Sequence, residues 1–146
     1  MERRKFIKTC CFSVVSIPLV VPLLQSCGAI YYAGSTRERG RLVVAKSEFL
    51  LVKKNKQVNR TFVLLKTDGV DFPICLYQTN EDRYNASLLK CTHNGCELNV
   101  GGGIYTCPCH GSEFSTTGRV LEGPADRDLK TFKTETDYEN IYVYIS

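Results

Sequence analysis

Two short stretches hold most of the side chains able to do metal or redox chemistry. Residues 91–96 read Cys-Thr-His-Asn-Gly-Cys, and residues 107–112 read Cys-Pro-Cys-His-Gly-Ser. Both histidines of the 146-residue chain, and four of its eight cysteines, fall within these 22 positions. Thiolate and imidazole are the donors that hold zinc, copper and iron–sulfur centres. A structural zinc takes four ligands and would leave two cysteines over. A disulfide scaffold alone has no use for two histidines. Four ligands and one disulfide use all six side chains.

The elements around these stretches must bring them together. Thirteen residues separate His93 from Cys107, enough for a hairpin of residues 97–100 and 104–106 turning on Gly101-Gly102-Gly103. Such a hairpin sets both loops at one end, facing each other. The triple glycine lacks the helix and Lys of a phosphate loop and reads as a turn. Further β-rich runs lie at residues 42–46, 49–52, 61–66, 74–78, 87–90, 129–134 and 141–145, with turn signals between them. Ile141-Tyr142-Val143-Tyr144-Ile145 consists entirely of β-formers. No long helical period follows residue 40, so the body is all-β, a small antiparallel sandwich or barrel. A domain of this size gains from a crosslink or a metal centre. Cys75, in Pro73-Ile74-Cys75-Leu76-Tyr77, reads as a buried, inert thiol, and Lys53, Lys54 and Lys56 as solvated turn residues.

The first 26 residues read as an export signal. Arg3-Arg4-Lys5 precedes an apolar run from Cys10 to Leu24, and Arg3-Arg4 with Phe6-Ile7-Lys8 resembles a twin-arginine signal. Leu24-Gln25-Ser26-Cys27-Gly28 resembles a bacterial lipobox, which would leave a lipid on Cys27. The competing reading is an uncleaved anchor, because the 28 residues from Thr9 to Thr36 carry no charge. Residues 27–40 are expected to form the anchor Cys and a tether, and residues 41–146 the folded domain. The formal charge is +4, but from Cys27 onward 15 basic residues meet 14 acidic ones. A nearly neutral body excludes a general nucleic-acid footprint.

The pattern Cys-x-His in one loop and Cys-x-x-His in the other resembles that of the Rieske [2Fe–2S] family, in which two thiolates hold one iron and two imidazoles the other. The resemblance implies one [2Fe–2S] cluster, with Cys91 and Cys107 on the first iron and His93 and His110 on the second. It implies a Cys96–Cys109 disulfide tying the loops together, and a third loop at Gly123-Pro124-Ala125. Ser112 matches a position whose hydroxyl donates to cluster sulfur and raises the potential, while Phe114 stands where related proteins carry a Tyr. The cysteine pair points to the quinol-oxidising branch. The expected function is a membrane-anchored one-electron carrier on the periplasmic side of a bacterial cell envelope. It would take electrons from a quinol or a redox protein and pass them to a cytochrome-like acceptor, without substrate turnover of its own. Alternatives are the iron–sulfur subunit of a cytochrome bc-type quinol or arsenite-type oxidoreductase, and the ferredoxin component of an oxygenase.

Overall fold

The computed structural model describes residues 30–146; the twin arginines, the apolar run and Cys27 lie outside the described residues. Thirteen strands and one short 3-10 helix make up the described chain. Seven strands form one antiparallel sheet: β1 (Thr36–Glu38), β2 (Arg41–Ala45), β13 (Asn140–Tyr144), β12 (Thr131–Thr136), β7 (Arg83–Leu88), β6 (Ile74–Asn80) and β5 (Phe62–Leu65), in that spatial order. The segment entering β1 closes it. Tyr32 pairs in parallel with Leu64, the Ala33 N–H donates to the Leu64 carbonyl, and the Leu64 N–H donates to the Tyr31 carbonyl, both at 2.9 Å. The sheet is thereby rolled into a barrel, the all-β architecture expected.

Alternation explains the barrel's interior. In β2 and β13, Leu42, Val44, Ile141 and Val143 point inward and are buried, while their neighbours are partly exposed. In β5 and β6 three consecutive residues are buried, so both faces of the sheet are covered there. Val63, Leu65, Ile74 and Leu76 fill the barrel, whereas Leu64 and Cys75 join a second apolar cluster on the outer face.

That outer face carries an insertion. The chain leaves the barrel after β7 and returns at β12, which pairs directly with β7 through Thr131↔Ser87 and Phe132↔Ala86. Between them lies a second sheet of β8 (Asn99–Gly101), β9 (Ile104–Thr106), β10 (Glu113–Ser115) and β11 (Val120–Glu122), ordered β11-β10-β9-β8. Tyr105 and Phe114, both fully buried, stand between this sheet and the barrel. The Tyr105 hydroxyl donates to the Thr116 carbonyl at 3.3 Å. A separate ribbon, β3 (Leu50–Lys53) with β4 (Lys56–Asn59), pairs with neither sheet. Among the described residues no helix is long and apolar enough to cross a membrane.

Two expectations need correction. Residues 31–38 are not a tether; they pair with β5 and β2 and complete the barrel. Their backbone groups satisfy an edge that would otherwise be open, a gain invisible in a segment without periodicity. The expected strands also omitted β4, β10 and β11. β4 is Lys-Gln-Val-Asn, exposed throughout, so it has no apolar alternation to read. β10 and β11 have three residues each, too few to show a period.

Candidate metal centre

The two chemistry-bearing loops are backbone copies of one another. In the first, the Cys91 N–H donates to the Cys96 carbonyl and the Gly95 N–H donates back to the Cys91 carbonyl, both at 2.8 Å. In the second, the Cys107 N–H donates to the Ser112 carbonyl at 2.8 Å and the Gly111 N–H to the Cys107 carbonyl at 3.0 Å. Each ring closes through a glycine four residues after its cysteine, at φ +73° for Gly95 and +80° for Gly111. A side chain there would be held in the left-handed region, so glycine is the residue each loop requires.

The loops follow the two ends of one hairpin. Lys90 bridges Glu97 before β8, and β9 delivers Cys107. A disulfide joins Cys96 to Cys109 across them, with Cα atoms 6.5 Å apart. Cys91 and Cys107 remain free and are buried, at 2% and 4% exposure, while His93 and His110 are exposed. The two imidazole rings lie 5.2 Å apart between centroids, nearly perpendicular at 87°. The sulfur of Cys107 also lies within 4.8 Å of both disulfide sulfurs, but those two are already spent on each other.

Electrostatics favour anionic sulfur. Burial pushes the Cys91 thiol up, but the backbone N–H groups of His93 and Asn94, the Cys107 thiol and the Ser112 hydroxyl pull it down. The balance holds Cys91 below its ordinary value. Ser112 is fully buried and its Oγ accepts the Ala125 N–H at 3.0 Å.

The third loop, which contains Gly123-Pro124, is clipped to the first. Thr92 Oγ donates to the Arg127 carbonyl at 2.6 Å, and Arg127 Nη2 donates to the Thr92 carbonyl at 3.2 Å. The sequence offered no pointer to this clip, because Arg127 lies 35 residues from Thr92 in an unpatterned stretch. The repeated glycine offset was readable, since it needs only the two cysteines for alignment.

The structure thus brings together Cys91, His93, Cys96, Cys107, Cys109, His110 and Ser112. Cys75 lies elsewhere, on the barrel face beneath β9; burial pushes its thiol up to about 12, with Tyr105 pulling weakly the other way. Phe114 packs in the same cluster. With one cysteine pair spent, two buried thiols and two exposed imidazoles remain. That donor set fits a [2Fe–2S] cluster with sulfur ligands inside and nitrogen ligands outside.

Comparison with known proteins agrees. A model of the Rieske [2Fe-2S] domain matches residues 47–133, more than half of the chain. The cytochrome b6-f complex iron-sulfur subunit of Synechococcus sp. (strain JA-2-3B'a(2-13)) is 43% identical over 53 residues, which are 35% of this chain and 31% of that one. The subunit of the same name from Synechococcus sp. (strain RCC307) is 40% identical over 55 residues, 36% and 31% of the two chains. The chain therefore matches about a third of the length of these curated relatives. The crystal structure of the cyanobacterial plasma membrane Rieske protein PetC3 from Synechocystis PCC 6803 superposes with a TM-score of 0.51 at 40% identity, covering 57% of this chain and 85% of that one. From its fold and these matches, the chain belongs to the Rieske [2Fe–2S] domain family, whose domain binds one [2Fe–2S] cluster.

Proposed function

We propose that this protein is a one-electron carrier whose cluster is held by Cys91 and Cys107 on the buried side and by His93 and His110 on the exposed side. The observation that carries the reading is this asymmetry: thiols at 2% and 4% exposure beneath two exposed imidazoles. When bound, the cluster supplies a one-electron couple. Cys91 and Cys107 keep water from the inner ligands, and the N–H groups of His93 and Asn94 compensate thiolate charge. His93 and His110 form the contact surface for a donor or acceptor. The Cys96–Cys109 disulfide and the Thr92–Arg127 clip hold the three loops in one arrangement.

The donor in this reading is a quinol or a reduced redox protein, and the acceptor is cytochrome-like. The N-terminal segment anchors the protein to the membrane, through lipid on Cys27 or as an uncleaved anchor, on the periplasmic side of the envelope. Membership of a quinol-oxidising complex is a second reading, favoured by the relatives that are iron-sulfur subunits of cytochrome b6-f complexes. The disulfide speaks against the ferredoxin component of an oxygenase.

The test is electron paramagnetic resonance of the purified, dithionite-reduced full chain, with His110→Cys and Cys91→Ser beside it. The wild type gives the rhombic signal of a cluster with two imidazoles on one iron. His110→Cys changes its g values and Cys91→Ser abolishes assembly. A zinc-loaded wild type with no such signal would overturn the assignment. Mass spectrometry of the mature N-terminus decides between lipidated Cys27 and an intact leader.

A further inference from the structure

The β3–β4 ribbon has no role in the metal centre, yet its chemistry is distinctive. It stands off the barrel without pairing to either sheet. Lys53, Lys54 and Lys56 crowd its tip, and Val52, Val58 and Leu50 are exposed by 72%, 47% and 41%. From residue 49 to residue 67 the chain carries five basic side chains and no acidic one.

The two remaining basic groups of that stretch mark the barrel edge beside the ribbon. The Arg60 guanidinium lies 3.8 Å over the Tyr31 ring, and Lys66 Nζ lies 4.4 Å over the Tyr32 ring. Arg60 also donates to the Leu50 carbonyl at 2.8 Å, which fastens this edge to the base of the ribbon. Ile30, 64% exposed, enters here. Register sets this entry away from the metal centre. Ile30 leads in at the Phe62 end of β5, whereas the Cys91 loop departs beyond Leu88, which pairs with Ile74 at the Leu65 end.

Because residues 31–38 belong to the barrel, little chain remains between it and the proposed anchor. Four peptide steps separate Cys27 from Tyr31, a reach of about 14 Å when extended. The edge from which the anchor departs therefore stays close to the bilayer. Tyrosines at an interface, apolar side chains beside lysines, and an excess of positive charge are what an anionic bilayer surface recognises.

We propose that the β3–β4 ribbon and the Tyr31–Tyr32 edge lie on an anionic phospholipid surface: register pairs Val58 with Leu51 and Lys53 with Lys56, so these four share one face of the ribbon while Val52 lies on the other with Leu50 and Asn59, and on the first face Val58 enters the headgroup region and the tip lysines Lys53, Lys54 and Lys56 pair with lipid phosphates. This rests on the membrane-anchored reading above. One carboxylate lies on the edge itself, where Glu48 accepts the Tyr31 hydroxyl at 2.7 Å; Glu81 and Glu139 line the groove behind the ribbon, and Asp82 pairs with Lys46 near it. The ribbon face, not the whole end of the barrel, meets lipid. The contact holds the barrel in one orientation and points His93 and His110 away from the bilayer, toward a partner. A lysine near an anionic leaflet contributes about five-fold to partitioning, so the three at the tip give a bias of roughly a hundred-fold.

The chain contains no tryptophan, which permits a clean test. Full-length holoprotein carrying Val58→Trp is reconstituted into phosphatidylcholine vesicles with and without phosphatidylglycerol. Acyl-brominated lipid is the quencher. Lys133→Trp, on the opposite wall of the barrel, is the control. The Val58→Trp emission shifts to the blue and is quenched in phosphatidylglycerol vesicles, while Lys133→Trp is not quenched. Lys53→Gln, Lys54→Gln and Lys56→Gln together bring the first to the level of the control. Vesicle flotation reads anchoring separately. A chain that floats with its Val58→Trp unquenched overturns the ribbon proposal alone; one that does not float overturns both readings. If quenching is absent and the lysine replacements instead slow electron delivery to a soluble acidic cytochrome, the ribbon docks a protein and the lipid proposal fails.

Discussion

Ser112→Ala separates two jobs held by a single hydroxyl. The oxygen accepts the Ala125 N–H at 3.0 Å in a fully buried setting, and the hydroxyl helps hold the Cys91 thiol below its ordinary value, so in the proposed reading its proton is a donor to ligand sulfur. Removing the hydroxyl leaves the Ala125 N–H without its acceptor, which costs about 1–3 kcal/mol of stability. Removing the proton takes a donor from sulfur that becomes more negative on reduction, so the reduced state loses more than the oxidised state. If the difference is about 1–2 kcal/mol, spanning the upper end for neutral bonds and the lower end for bonds to charged groups, the conversion of roughly 59 mV per 1.4 kcal/mol for one electron gives a potential lower by about 40–85 mV. Film voltammetry of the holoprotein measures the potential, and urea unfolding of the same samples measures stability. Ser112→Thr, which keeps the hydroxyl, restores most of the potential if the methyl fits. A Ser112→Ala potential within about 10 mV of the wild type, with the stability loss present, would refute the sulfur bond and leave Ser112 only as a clasp for the third loop.

Three further outcomes are expected. Cys109→Ser leaves the ligands in place but unties the loops; the 13-residue separation of the pair implies a loss of about 3 kcal/mol, and the visible absorption of the cluster decays faster on dilution. An unchanged decay rate would show that the clip at Thr92 and Arg127 suffices. Cys75→Ala removes a thiol held protonated by burial, leaves the reduced-state resonance signal unaltered and costs about 1 kcal/mol, read by urea unfolding; loss of the signal would make Cys75 a ligand. The Asp137 carboxylate sits below its ordinary value because it accepts the Tyr142 hydroxyl and the Asn140 and Glu139 N–H groups. Its contribution is present above that ordinary value and lost as pH falls through the lowered one, so Asp137→Ala destabilises at neutral pH and the difference from wild type disappears in strong acid; a difference that persists there would place the effect elsewhere.

The paired loops were legible because each is local. Two cysteines, two histidines and two glycines sit at fixed offsets within loops of six residues, and the geometry of each loop is decided inside the loop. The all-β character was legible for a similar reason, since alternation in β2 and β13 needs only one strand and one buried face. What needed the tertiary structure is whatever depends on a distant neighbour. The sequence pattern could not show residues 31–38 closing the barrel, because their partners on β5 and β2 are set by sheet order and not by any period. It could not show Cys75 and Leu64 turning outward beneath β9, since a strand covered on both faces reads as an unbroken apolar run. Nor could it show the Ser112 hydroxyl accepting the Ala125 N–H of the third loop, 13 residues away. Residue types and spacing determine which atoms are available for chemistry; sheet order and packing determine which of them become buried, which stay exposed and which way the molecule presents them.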